Sequence, residues 1–465
     1  MTSIVVVGAG VSGIAAAARL ARHGYRVTVV EKCKQPGGRC NRLIRDGHYF
    51  DTGPTLLLMR EIYAQTFADL GERIEDHLDL RRIDPTYRVH IDDGTTLDLT
   101  SDLNAMKAQL EAIEPGSMDG YLRYLNEGRR HYQLALPHLI ARSFHSLPGF
   151  CNLKNLTLLF RLKLLVRHYR HMGNYFTDHR LKAAFTFQDL YLSLSPFEAP
   201  ATYSLLQYAE LVDGIWFPMG GMYRVVEALV GIGEKNGVQF AYGAPVERID
   251  VEDRRATGVT LADGRQVQAD IVVANADLSY VYRRLLPDDG SSKRLERKRY
   301  SCSTVMFFWG VDKRYPQLEA HNLFLAGDYR RSFDRILKDL ALPDKPSFYL
   351  HAPARVDPSR APEGQDTLMV VVPVGHIDAD APQDWPSVQE RARKFVFQYL
   401  AEIGADDLEQ HVKFEVGHTA PGWQSRYNLT KGSTLGLGHD LFQMGYLRPH
   451  NRHARYRNLY FVGAS

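Results

Sequence analysis

Ile4 to Val7 is an unbroken run of β-branched residues, the pattern of a strand buried on both faces, and Gly8-Ala9-Gly10-Val11-Ser12-Gly13 follows it directly. Ile14 to Arg22 is alanine-rich and predicts a helix closed by Gly24; Arg26 to Val30 predicts a second β-branched strand ending in Glu31. Further along, Gly221 to Lys235 reads as a helix, Val238 to Ala241 and Pro245 to Val251 as strands, and Asp263-Gly264 as a hairpin turn between Ala256–Leu261 and Gln266–Ala269. Ile271 to Ala274 then returns as a buried strand. No internal repeat and no low-complexity linker interrupts the pattern.

The order strand, glycine turn, helix, strand, acid is that of a dinucleotide-binding βαβ unit. Gly8 permits the tight turn, Gly10 lets backbone approach a pyrophosphate, and Gly13 lets the helix sit close to the strand. The helix N-terminus offers free N–H groups and the positive end of its dipole to phosphates. Glu31 can accept from ribose hydroxyls and would repel a 2′-phosphate, which disfavours NADPH. The unit does not by itself separate FAD from NAD. Gly37-Gly38-Arg39 adds two positions without side chains and a guanidinium just past the second strand, where backbone can approach a cofactor and Arg39 can bond its phosphates or ring.

A second pattern lies between Glu127 and Asp178, where no acidic residue occurs but Arg129, Arg130, Arg142, Lys154, Arg161, Lys163, Arg167 and Arg170 do. Leu153, Leu156, Leu158, Leu159, Phe160, Leu162, Leu164 and Leu165 are interleaved with them. A basic amphipathic helix of this composition suits the interface of an anionic bilayer; it could equally bury its leucines and solvate its arginines.

Composition narrows the classes. With 57 basic against 54 acidic side chains, the chain as a whole gives no case for nucleic-acid binding. Cys33, Cys40, Cys151 and Cys302 form no C-x-x-C pair, so buried thiols in a reduced compartment are expected; the 18 histidines contain no H-E-x-x-H, and nothing points to a metal. The apolar N-terminal run lacks the basic segment of a cleavable signal peptide, and no window has the roughly 20 apolar residues of a spanning helix. The expected location is intracellular, at a membrane surface.

Tyr49-Phe50-Asp51-Thr52-Gly53-Pro54-Thr55, following Gly37-Gly38-Arg39, resembles the FAD-containing amine-oxidase and carotenoid-desaturase superfamily. The stretches Phe185-Thr186-Phe187, Ser195 to Tyr208, Gly214 to Gly221, Ala274-Asn275-Ala276-Asp277, Arg448-Pro449 and Asn458 to Ser465 resemble phytoene desaturases, particularly the fungal type. That resemblance implies an α/β fold, a Rossmann-like FAD-binding domain interleaved with an α+β substrate domain. The FAD domain would take residues 1–85, 215–300 and 430–465, and the substrate domain 86–214 and 301–429. It further implies Gly8, Gly10 and Gly13 at the pyrophosphate, Glu31 at the adenosine ribose, and Gly37, Gly38 and Arg39 along the FAD. Asp51, Gly53 and Pro54 would form the turn under the isoalloxazine, Val246 would meet the adenine unless it is a plain strand valine, and Gly463 and Ala464 would begin a second flavin-contacting segment. In the family that segment runs on into a helix, so the reading expects a chain incomplete after Ser465, a weak hold on FAD and a missing C-terminal anchor.

The implied reaction is FAD-dependent desaturation of phytoene or a similar long polyene toward a lycopene-type carotene, with quinone or oxygen as reoxidant. Residues about 140 to 175 would form or flank a tunnel opening onto the bilayer. The proton acceptor is left unassigned, since Asp189, Glu198 and Glu210 could each be salt-bridge or surface carboxylates. Two other readings of the fold remain open: a flavin-dependent isomerase or saturase, and a prenyl-binding protein without redox chemistry.

Overall fold

The computed structural model describes residues 1–144, 146–287 and 290–463. The predicted βαβ unit forms strand Ser3–Val7, helix Val11–Arg22 and strand Arg26–Glu31. Five parallel strands make a sheet in the order Leu459–Phe461, Ile271–Ala274, Ser3–Val7, Arg26–Glu31, Gln239–Tyr242. Alternation along the central strand decides what each face carries. Ile4 and Val6 pack with Ala17, Ala18 and the helix Tyr223–Lys235, whereas Val5 and Val7 pack against the three-stranded antiparallel layer Val246–Glu252, Arg255–Leu261 and Gln266–Gln268.

A second, seven-stranded sheet runs Val412–His418, Ser303–Val311, Asp366–Val374, Phe348–His351, His321–Leu325, Tyr87–Ile91, Thr96–Leu99. It is antiparallel except where His321–Leu325 runs alongside Tyr87–Ile91. Val305, Phe307, Trp309 and Val311 bury one face under helix Trp385–Glu402. Tyr87, Val89 and Leu323 join a core with helices Leu103–Ile113 and Ser117–Ala135 and with the 168–187 segment. The protein is thus a Rossmann-like domain interleaved with an α+β domain.

The basic stretch departs from the single amphipathic helix expected of it. It breaks into Leu147–Phe150, Leu153–Arg161 and His168–Met172, with His145 outside the described residues. Asn152 caps the second piece by accepting from Asn155 N–H; Lys163 adopts φ +51° and Arg167 is extended, so no helix continues through them. Leu158 and Leu162 are buried, but Leu153 is 77% exposed and Phe160 66%. Lys163 is not simply solvated either, since it pairs with Glu127. The expectation of four buried thiols needs the same correction: Cys40 and Cys302 are buried, Cys33 is half-buried and Cys151 is exposed. No helix among the described residues is long and apolar enough to cross a membrane.

Candidate functional site

A cavity of about 320 Å³ opens at the C-terminal ends of the parallel strands, where such sheets bind ligands. Of the predicted residues it is lined by Gly8, Gly10, Glu31, Gly37, Gly38, Arg39, Pro54, Val246 and Gly463. Gly13, Asp51 and Gly53 stand behind its wall, and Ala464 lies outside the described residues.

The glycine turn is held from a position that the sequence left without a role. Asn275 Nδ2 donates to the carbonyls of Gly8 (2.9 Å) and Gly10 (3.4 Å). A Cβ on Gly13 would lie 2.4 Å from the Gly8 carbonyl oxygen and 2.5 Å from Asn275 Nδ2, so only glycine lets helix, turn and strand close together. Gly8 has φ +103°, and Gly37 N–H donates to the Ala9 carbonyl (2.7 Å), which seats the second glycine segment against the first. No side chain caps the helix at Gly10, leaving its N-terminal turn free for an anion.

Glu31 is buried, its two oxygens accepting from Ala9 N–H (2.7 Å) and Cys33 N–H (2.8 Å). A carboxylate oxygen has capacity for a second donor, so these bonds aim the group and leave room for a ribose hydroxyl. Burial, and then the Glu31 charge, push the half-buried Cys33 thiol up, so the thiolate is disfavoured. Arg39 donates to the Thr434 carbonyl; burial weakens its hold on its proton, with Asp277 opposing. Asp277 in turn accepts from Tyr280 N–H (3.0 Å) and the Thr430 hydroxyl (2.6 Å). Lys32, Tyr427 and Asn428 complete the rim, with Lys32 Nζ 3.1 Å from Asn428 Oδ1.

Asp51 faces the other way. Its carboxyl accepts from Tyr223 N–H (3.2 Å) and from Arg360 (3.3 Å), and burial pushes its pKa up against the pull of Arg360. Asp51 therefore ties the start of helix Tyr223–Lys235 to the second domain. Gly53 has a packing reason as well, because a Cβ there would lie 1.9 Å from the Arg39 carbonyl oxygen.

The three carboxylates left open separate clearly. Glu198 is exposed, 3.7 Å from Lys338. Asp189 is fully buried and paired with His168 Nδ1 at 2.9 Å. Glu210 is also fully buried; one oxygen accepts from Gln188 Nε2 (2.9 Å), and burial raises its pKa to about 8.

The family model for flavin-containing amine oxidoreductases matches residues 11–465, and the chain belongs to that family, with FAD as its cofactor. Over 464 residues it is 46% identical to a zeta-carotene-forming phytoene desaturase of Myxococcus xanthus, covering 99% of this chain and 89% of that one. It is 40% identical over 486 residues to a phytoene desaturase of Fusarium fujikuroi, covering 100% and 85%. A solved oxidoreductase of Methanosarcina mazei shares the fold (TM-score 0.59, 17% identity, 99% and 94% coverage). Within the family the protein is phytoene-desaturase-like, an oxidoreductase of carotenoid desaturation acting on CH–CH groups.

Proposed function

We propose that the protein desaturates phytoene, extending its conjugation toward a lycopene-type carotene. The reading is supported by the match of nearly all of this chain to two phytoene desaturases. A stop at zeta-carotene is the second reading, favoured by the name that the Myxococcus enzyme carries. Expression in cells that accumulate phytoene, with chromatography of the products, tests both. A lycopene-type product supports the first, zeta-carotene alone the second, and unchanged phytoene overturns the substrate assignment.

The cavity fits the cofactor: the approach at Gly10 and Gly38 is free of side chains, the helix end is uncapped, and an oriented acid stands at the second strand. Bound FAD supplies the acceptor for the hydride that desaturation releases. In this reading the Gly8–Gly13 turn holds the pyrophosphate, Glu31 the ribose and Val246 the adenine, while Gly37, Gly38, Arg39, Pro54 and Gly463 follow the rest of the molecule. Asp51 and Gly53 act one layer back, and Asn275, itself in the lining, fixes the shape of the glycine turn. Turnover under nitrogen with an added quinone separates quinone from oxygen as reoxidant.

A hydrocarbon substrate resides in membrane, and the reading takes the exposed apolar side chains of 147–165 as the docking face. Phe150 stacks with Tyr446 (6.3 Å), which brings Phe442, 78% exposed, into the same region. Arg161, Arg167 and Arg170 are exposed around it. Replacing these three by Glu is expected to abolish flotation with anionic vesicles; unchanged flotation overturns this role.

A further inference from the structure

The segment from Ser204 to Asp213 changes from an α-turn into a π-turn at Ala209–Asp213, a local irregularity often found at functional sites. Glu210 sits at its start. Its Oε2 is held by Gln188; the Tyr87 and Tyr191 hydroxyls lie within reach of the carboxyl, but Oε1 has no well-aligned donor among the described residues, and Gln188 Oε1 and both amide atoms of Gln207, one turn earlier on the same helical run, are buried without a bonded partner among them. Each such orphan costs about 1–3 kcal/mol, so a cluster of them in one place calls for an occupant or a task.

The surroundings indicate which. The hydroxyls of Tyr87 and Tyr191 are bonded to each other and stand beside the Glu210 carboxyl. Tyr349, close enough to influence both, bonds Thr55 Oγ1 (2.8 Å) and His321 Nδ1 (2.6 Å). Thr55 follows Pro54, which lines the dinucleotide cavity. Buried polar side chains therefore stand between Glu210 and the cavity wall, in two hydrogen-bonded groups, Tyr87 with Tyr191 and Tyr349 with Thr55 and His321, and Leu56, Leu58 and Met219 pack along this core while remaining partly open. No Lys or Arg among the described residues forms an ion pair with Glu210, unlike Glu198, and no histidine among them is bonded to it as His168 is to Asp189.

Given the substrate reading above, on which this rests, we propose that Glu210 is the base that takes the proton released in desaturation. One hydrogen leaves carbon as hydride to the flavin oxidant. The neighbouring carbon loses a proton, its C–H electron pair becomes the new π bond, and the Glu210 carboxylate becomes a carboxylic acid. Gln188 holds the other carboxyl oxygen, Oε2, which leaves Oε1 to take the proton, and Tyr87 and Tyr191 offer the way on for it.

A base is active when ionised, so the rate should rise with pH through the elevated pKa of this group, about 8. The experiment mixes the FAD-loaded protein anaerobically with phytoene in vesicles from about pH 6 to about pH 9.5 and follows flavin bleaching. Glu210→Gln with unchanged flavin content is expected to slow bleaching by about 10²-fold or more and to flatten the profile. Glu210→Asp should restore part of the rate and keep the rise. A Gln variant that bleaches at the parent rate, or keeps the rise, overturns the proposal. The parent protein gives an independent readout, an infrared carboxylic-acid C=O band that titrates near pH 8 whether or not substrate is present. If Glu210→Gln does not fold, a flat parent profile or the absence of that band is overturning, and both together in the expected form are supporting. Failure of phytoene to bleach the parent flavin at any pH sinks the substrate reading, whereas bleaching whose rate is insensitive both to pH and to Glu210→Gln sinks the assignment of Glu210 alone.

Discussion

The glycine-turn cradle and the surroundings of Glu210 treat their buried polar groups differently. Around the glycine turn these groups are paired: Glu31 with two backbone donors, Asn275 with two carbonyls, Asp277 with Tyr280 and Thr430, Asp51 with Arg360. Around Glu210 and Gln207 buried oxygens and nitrogens lack partners. Pairing fixes a shape that a polar cofactor can enter through an open mouth. Orphaned groups in an apolar interior store basicity instead, because burial opposes the charged form. The first arrangement suits binding and the second suits moving a proton.

The largest expected effect tests the rigidity of the first region. Gly13→Val drives side-chain atoms into the Gly8 carbonyl and should cost more than about 4 kcal/mol, leaving little folded protein and no flavin absorbance. A flavin-loaded Gly13→Val would break the claim that this wall is set by close backbone approach. Next is Arg360→Met, which strands Asp51 without its cation; denaturant unfolding should show a loss of about 3–5 kcal/mol, partly recovered by adding Asp51→Asn.

The sign of a pH effect separates Glu210 from a paired carboxylate. Its folded pKa is raised to about 8, so its contribution to stability is full below the unfolded value near 4.5 and is lost as pH rises through about 8. Glu210→Gln should therefore gain on the parent by a few kcal/mol in unfolding free energy between about pH 5 and about pH 9. A pH-independent difference would show that Glu210 does not titrate in the folded protein. Glu127 supplies the contrast: burial alone would raise it, yet hydrogen bonds from His171 and Lys163 carry it down to about 2. Its contribution is present above about pH 4.5 and lost as pH falls toward about 2, and Lys163→Met should reduce this acid-side loss by about 1 kcal/mol in acid titration of stability. The smallest effect belongs to the exposed apolar face: Leu153→Ser with Phe160→Ser should leave the melting free energy within about 0.5 kcal/mol while weakening vesicle flotation.

The βαβ unit and the hairpin at Asp263-Gly264 were legible in the sequence because local periodicity and turn chemistry specify them. The basic stretch was misread as one helix because composition shows amphipathicity but not the left-handed turn at Lys163 or its pull toward Glu127. Asn275 was visible only as part of a resembling motif; its task depends on strand Ile271–Ala274 lying beside Ser3–Val7. Glu210 could not be told from Asp189 or Glu198 in one dimension, since the distinction lies in what packs around each carboxyl.

That strand pairing also sets a schedule for synthesis. Ser3 hydrogen-bonds Asp270 across 267 positions, so the central strand of the sheet emerges with Arg26–Glu31 as its neighbour and waits for the other. At about 5–20 residues per second the wait is roughly 13–50 s, and the glycine turn lacks its Asn275 latch throughout it. Nascent chains stalled on the ribosome before Asn275 should not retain flavin, whereas release of the later strands lets the cradle form. Capture of the cofactor is thereby expected late, after the helices between Leu103 and Asp213 have emerged.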